Sequence, residues 1–391
     1  MPYLPITSDA GVLAILCGVC AIFFWLERAT EWRLFNIVPP LVFIYLVPVI
    51  LTNSGVLPAK SAAYDKIGEI VLPMMLVLML LNVDVRGAVR IMGRGVLVML
   101  AGTAGVVVGA GVGMAVIKNW VGPTAWKSFG ALSGSWIGGT GNLAAVGKSL
   151  DASEGDIALA ILADTTLLLV WIPVLLSSKR FADGFARWAQ VDPDRVEKME
   201  AAAMASMTEA RAPTYRDFLY LLFISLGVTA VSQTLADQLP EFPPYVMRDS
   251  WLVLIVTTIG ILLALTPLRR IPASRDLGMA LIFLFMARIG AKADLSGIAD
   301  QALPFIAGAA ICLSIHGLFC LTAAWLLRVD VHTAAIASAA NIGGPATATV
   351  VAAHHRESFV PAGIMMALLG YAVGNYAGYA AGLLCAWLSG S

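Results

Sequence analysis

Phe129–Gly147 reads FGALSGSWIGGTGNLAAVG, and Thr333–Ala353 reads TAAIASAANIGGPATATVVAA. Both stretches are small and polar, both are split by a double glycine, and neither has the side chains of a lipid-facing helix. Gly-Gly is a poor helix former and Pro345 has no N–H to donate. Breaks are therefore predicted at Gly138-Gly139-Thr140-Gly141-Asn142 and Gly343-Gly344-Pro345-Ala346-Thr347. The stretches also match each other. Ile137-Gly138-Gly139 aligns with Ile342-Gly343-Gly344 at an offset of 205, which puts Ser133 on Ser338 and Val146 on Val351.

The surrounding chain explains why such breaks matter. Of its 391 residues 59% are hydrophobic and only 13% charged, against about 25% charged in an ordinary soluble domain. So little charge cannot coat a water-exposed globule, and so much apolar character excludes disorder. A polytopic membrane protein is expected, with the lipid bilayer as its main partner. Net charge is zero, 25 basic against 25 acidic residues, which removes the electrostatic case for nucleic acid. Cys17, Cys20, Cys312, Cys320 and Cys385 all fall in apolar runs, so packing is expected of them rather than disulfides or zinc. The first ten residues carry no Lys or Arg, so no signal-peptide start is expected.

Twelve apolar stretches can be counted, six before and six after a polar segment. A first repeat is expected over residues 1–176, a cytoplasmic linker over 177–217 and a second repeat over 218–391. An upstream echo, Asn82-Val-Asp84 to Gly87 against Lys292-Ala-Asp294 to Gly297, supports duplication. If the double-glycine stretches dip into the membrane and return, each half crosses five times and the second copy is inverted. That arrangement places 17 of the 25 Lys and Arg on the linker side, among them Arg86, Arg90, Arg94, Arg269, Arg270, Arg275, Arg328 and Arg356. Twelve full crossings place 15 there. The positive-inside rule favours the re-entrant arrangement. The fold expected is thus all-α, two inverted repeats of about five transmembrane helices, each with a Gly-Gly re-entrant or broken helix.

A broken helix exposes donors at one new end and acceptors at the other, which suits anions and cations respectively. Solute binding is expected of Ser133, Ser135, Gly138, Gly139, Thr140, Gly141 and Asn142 in the first half, and of Asn341, Gly343, Gly344, Pro345 and Thr347 in the second. Asp164, with Thr165, lies deep in an apolar run. A carboxylate there costs free energy and marks an ion pathway by default. Ion coupling is expected of Asp164, Thr165, Asn375 and Asn82, with Na⁺ near Asp164 or H⁺ as the coupling ion and no other cofactor. The Gly105-xxx-Gly109-xxx-Gly113 and Gly374-xxx-Gly378-xxx-Gly382 series read as helix packing. His316, mid-segment, reads as a hydrogen-bonded interior residue. Arg288 suits either snorkelling or a substrate carboxylate.

The paired double glycines, the five-plus-five crossings and the central linker resemble the glutamate–sodium symporter and 2-hydroxycarboxylate transporter families. SWIGGTGN with NIGGPATA looks more closely like the YjcL-like family of uncharacterised bacterial membrane proteins. The resemblance implies inverted repeats, re-entrant Gly-Gly loops, cation-coupled symport, a homodimer and a bacterial cytoplasmic (inner) membrane location. It also implies site positions at the loop residues named above. Thr140 stands where the glutamate symporters carry a histidine, which counts against glutamate itself as solute.

A secondary active transporter of a small polar or anionic solute, such as an amino acid, short peptide or organic acid, is the expected function, not an enzyme. The alternatives are an intramembrane hydrolase using Ser133 or Ser135 with His316, and a passive channel or solute sensor. No H-E-x-x-H or G-x-S-x-G motif supports the hydrolase.

Overall fold

A computed structural model describes residues 6, 8–30, 32, 35, 39–195, 197, 199, 201, 211–293 and 298–390. Arg33, Ile37, Val38, the Lys198–Glu200 part of the linker with its Ala/Met run, and the Asp294–Gly297 echo fall largely or wholly outside them. The described residues form helices, with one isolated β-bridge between Phe242 and Val246. In chain order the helices are α1 (Asp9–Thr30), α2 (Pro40–Asn53), α3 (Ala62–Leu80), α4 (Val85–Met92), α5 (Gly95–Ile117), α6 (Ala125–Ser149), α7 (Glu154–Ser177) and α8 (Ala182–Trp188). After the linker come α9 (Tyr215–Ala236), α10 (Arg248–Ala264), α11 (Ser274–Lys292), α12 (Ile298–Leu326), α13 (Val331–Ile342), α14 (Gly344–His355) and α15 (Val360–Ser389).

Among the described residues six helices are long and apolar enough to cross a membrane: α1, α5, α7, α9, α12 and α15. The α3–α4 pair, bent by 44°, makes a seventh. The chain is a multi-pass integral membrane protein. The ion pairs sort its two faces. Lys66–Asp9, Lys127–Asp151, Lys148–Asp249, Arg248–Asp237 and Lys292–Glu154 join residues expected on the face away from the linker. Arg269–Asp84, Arg195–Asp330 and Arg211–Asp217 join residues expected on the linker face. None of these pairs mixes the two sets. Helices α10 and α11, less apolar or shorter than the six, run between these faces: α10 starts at the Asp249 pair and leads to Arg269, while α11 returns to Lys292.

Neither double-glycine stretch crosses. In α6 a Cβ built on Gly134 would stand 2.8 Å from the Asn142 carbonyl, eight residues on. A continuous helix would separate those residues by about 12 Å along its axis. Further along, a Cβ on Gly147 would lie 3.8 Å from that of Ala131, and Lys127 Nζ donates to the Asp151 carbonyl at 2.7 Å. The helix therefore doubles back, and its turn is Gly139 (φ 75°, ψ −173°), a conformation open only to glycine at low cost. Helices α13 and α14 form the second hairpin. Its turn is Gly344 (φ 62°), and its ends meet where His332 Nδ1 and His355 Nδ1 lie 2.8 Å apart. The two left-handed glycines stand at the offset of 205 read from the sequence.

Helix α7 shows how the hairpins are oriented. Its first turn holds the mouth of the first: Asp156 accepts from Thr124 and Ser128 Oγ at 2.9 and 3.2 Å. Its last turn holds the mouth of the second, where His355 Nε2 meets the Leu175 carbonyl at 3.1 Å. The hairpins thus enter from opposite ends of a 24-residue helix about 36 Å long.

Small residues let this assembly close. Gly105, Gly109 and Gly113 of α5 face His316, Cys312 and Gly308 of α12, backbone against backbone. Gly374, Gly378 and Gly382 of α15 face Gly138, Gly134 and Gly130 of the first hairpin, with a Cβ on Gly378 only 2.7 Å from the Gly134 Cα. Both glycine series read as packing do pack, and the α15 series does so against the first hairpin itself. Cys312, Cys320 and Cys385 are buried, but Cys17 is exposed on α1, so core packing does not extend to it.

Candidate functional site: two hairpin tips around Met99

Both tips converge on the second turn of α5 and the middle of α15. Asn341, in the last turn of α13, donates through Nδ2 to the Met99 carbonyl at 3.0 Å. A Cβ on Gly370 of α15 would stand 3.5 Å from Met99 Cε and would collide with the carbonyl of Ile137, next to the first turn. Asn142 closes the first tip by donating to the Tyr371 carbonyl at 3.1 Å. Gly138, Gly141, Asn142, Asn341, Gly344 and Thr347 are buried, while Gly139, Thr140 and Gly343 are half-buried.

One acceptor at a tip, on Asn341, and one each on α15 and α5 are left without partners. Asn341 Oδ1 and Asn375 Oδ1 are fully buried and accept no hydrogen bond, and Thr103 Oγ1, one turn along α5 from Met99, is likewise unpaired. A buried orphan acceptor costs about 1–3 kcal/mol. Helix α14 also begins at this depth with Pro345 in its first turn and no side chain capping its free N–H groups. Orphan acceptors suit a cation or a donor group of a ligand, and bare helix-start donors suit an anionic group.

Asp164 reaches the first hairpin directly. Ser135 Oγ donates to its Oδ2 at 2.7 Å and Trp136 Nε1 to its Oδ1 at 2.9 Å. Each carboxylate oxygen keeps a second lone pair for a proton or cation. Ser135, assigned to solute on sequence, thus shares a site with Asp164. Thr165 is half-buried beside it, and Ser133 is 1% exposed on the same arm. Two turns along α7 from Asp164, Trp171 Nε1 donates to Ser338 Oγ of the second hairpin at 2.9 Å. One helix therefore grips both hairpins.

Other expected site residues lie apart from the tips. Asn375 Nδ2 donates to Thr257 Oγ1 of α10 at 2.8 Å, so its amide is committed to a structural contact and only its orphan oxygen remains available. Asn82, expected at the ion site, lies apart from Asp164. It sits at the α3–α4 bend, two residues from the Asp84–Arg269 pair on the linker face, and its Nδ2 caps the Leu78 carbonyl of its own helix at 2.9 Å. The pairing of Ser133 with His316 does not form either. His316 Nδ1 lies 2.9 Å from the Gly102 carbonyl and Nε2 lies 2.9 Å from Ser338 Oγ. Arg288 lies toward the face away from the linker, near Lys148 and Glu154. Its Nε donates to the Tyr64 carbonyl at 3.0 Å, its guanidinium lies over Phe285, and it lines a small cavity with Ala144 and Gly147 of the first hairpin.

Sequence reasoning missed Trp136 and Trp171. An indole inside a polar, glycine-rich stretch was the available signal, because a buried indole N–H needs an acceptor. Asp156 was legible as a helix start, since Ser153 and Asp156 form a capping box, but its bonds to Thr124 and Ser128 were not.

A family profile described as "Protein of unknown function (DUF819)" matches residues 14–388. The chain belongs to this family. It is similar to the "Uncharacterized membrane protein YjcL" of Bacillus subtilis (strain 168), at 26% identity over 390 residues that cover 95% of this chain and 96% of that protein. Membership over nearly the whole length puts both hairpins, α7 and the linker inside the family region.

Proposed function

We propose that the protein is a secondary active transporter that couples the movement of a small polar or anionic solute to Na⁺ or H⁺ by alternating access. The observation that carries this reading is the pair of helical hairpins entering from opposite ends of α7, with an orphan buried acceptor, Asn341 Oδ1, where the tips meet beside Met99. Polar main chain at membrane depth is kept where it handles cargo. In this reading the tips, from Ser133 to Asn142 and from Asn341 to Thr347, hold the solute. Asp164, with Ser135 and Thr165, holds the coupling ion. Residues 1–176 and 218–391 are inverted repeats, with the 177–217 linker in the cytoplasm of a bacterial cell and the chain working as a homodimer in the cytoplasmic membrane.

Reconstitution into liposomes tests it. Solutes are screened for uptake with an imposed Na⁺ gradient, an imposed proton gradient, or neither. Uptake of a retained solute that responds to one gradient and is lost in Asp164→Asn supports the proposal. Uptake indifferent to both gradients, or non-saturating conductance in electrical recordings, replaces it with a channel. The hydrolase alternative now rests on the Ser338–His316 contact, and labelling of Ser338 by a serine-reactive fluorophosphonate would favour it.

A further inference from the structure

On the linker face a cavity of about 650 Å³ opens between the α4–α5 junction, the end of α12 and the linker. Four arginines line it, Arg90, Arg94, Arg195 and Arg328, against one carboxylate, Asp192, whose Oδ1 already accepts from the Asp194 amide at 3.0 Å. Arg195 is fixed as part of the wall. Its Nε meets Asp330 Oδ2 at 3.4 Å and its Nη2 donates to the Met92 carbonyl at 3.2 Å. Arg94 is held by donating to the Leu327 carbonyl at 3.2 Å. Arg90 and Arg328 are exposed and make no ion pair among the described residues.

Asp330 offsets Arg195 and Asp192 adds one negative charge, so the other three guanidinium groups leave the concavity positive, a balance an anion between them relieves. Arginine is the side chain whose planar fork matches phosphate oxygens two at a time. The cavity is also placed where such groups are abundant. Trp188 and Trp325 stack 5.3 Å apart beside the linker and the end of α12, both exposed, as aromatic side chains do at headgroup level. Arg328 itself follows the end of α12 in a left-handed conformation (φ 55°), which turns the chain back toward Asp330.

We infer that this four-arginine cavity binds a phosphate-bearing anion, which ties the linker to the α4–α5 and α12–α13 junctions. Either an anionic phospholipid headgroup or a soluble phosphate compound presents this chemistry. The site is separate from the hairpin tips and does not depend on the transport reading. It does bear on the second hairpin, because Arg195 and Asp330 share an ion pair and Asp330 caps α13 through the Thr333 amide at 2.7 Å.

The test uses the full chain in phosphatidylcholine nanodiscs. One arm adds phosphatidylglycerol to the discs; the other adds inorganic pyrophosphate to the buffer at constant ionic strength. Thermal unfolding and native mass spectrometry of retained lipid are read in both. A rise in unfolding temperature is expected with at least one probe. Arg90→Gln and Arg328→Gln should each raise the probe concentration needed by about fivefold. Arg180→Gln, an exposed change outside the cavity, should not. A response to phosphatidylglycerol alone assigns a lipid headgroup, and a response to pyrophosphate alone a soluble phosphate. No response to either probe, or a response equal in Arg90→Gln, Arg328→Gln and the wild type, overturns the inference. Both arginines are exposed and outside the ion pairs of the described residues, so folded variants are expected.

Discussion

The two hairpins share a turn chemistry and differ in how they are held. The first is zipped to α15 along a whole arm, glycine to glycine, and its Asn142 amide is bonded across to Tyr371. The second meets α5 through the Asn341 amide and α15 at Gly363, where a Cβ would stand 3.0 Å from the Ala348 carbonyl, and a Cβ added at its Gly344 turn would meet nothing within 4 Å. At the mouths the contrast continues. The first is closed by an aspartate bonded to two hydroxyls, the second by two imidazoles and a backbone carbonyl. Equal sequence motifs have produced a first hairpin packed glycine to glycine along α15 and a second whose tip keeps an unused acceptor. The second hairpin is therefore the half of the site with freedom to accept a ligand or shift.

The sharpest way to break this contrast is to add one methyl group on each side. Gly370→Ala drives a Cβ into the Ile137 carbonyl, and Gly378→Ala into the Gly134 backbone. Backbone cannot move aside as a flexible side chain can, so each should cost about 3 kcal/mol or more, at the top of the overpacking range. Gly344→Ala meets open space and should cost only the left-handed backbone penalty, about 1–2 kcal/mol. Detergent-solubilised thermal unfolding ranks the three. If Gly344→Ala proves as damaging as Gly370→Ala, the second tip is packed as tightly as the first.

Asp164→Asn comes next. An asparagine offers one acceptor oxygen where two donors, Ser135 Oγ and Trp136 Nε1, now converge, so one of them is left facing an N–H₂ group. The stability loss should be about 1–3 kcal/mol. Under the transport proposal, gradient-driven uptake should disappear while solute exchange without a gradient remains. Loss of stability with gradient-driven uptake intact would reduce Asp164 to a clamp on the first hairpin. The matching clamp on the second is weaker. Ser338→Ala removes the acceptor of Trp171 and a partner of His316, yet such bonds between membrane helices average about 0.6 kcal/mol. A loss above about 2 kcal/mol would show that the second hairpin is as firmly held as the first.

The comparison also explains what could be read before any coordinates. Glycine pairs, proline and offset announce the turns because backbone preference is local, and Gly139 and Gly344 fall where the alignment put them. The α5 and α15 glycine series were legible as packing surfaces for the same reason. What they pack against was not, since Gly130, Gly134 and Gly138 look like part of a loop motif until α15 is laid on them. Asp164 declared itself by cost, but its partners come from an arm 28 and 29 residues away, and no spacing rule links them. The place of Asn82 was not legible, because a buried-looking amide and a helix-capping amide are identical in sequence.

Asn341 offers the finest cut. Its Nδ2 makes one bond, to the Met99 carbonyl, while its Oδ1 is buried with none. Replacing it with Leu removes the bond and the orphan together, and the two terms nearly cancel, so the resting protein should change by less than about 1 kcal/mol. The variant should then unfold at the wild-type temperature without solute and lose the upward shift expected of the wild type when solute is added. A wild-type-sized shift in Asn341→Leu would mean that the orphan oxygen faces no ligand. Equal destabilisation with and without additives would make Asn341 a strut between the second hairpin and α5, and would move the binding site away from the looser tip.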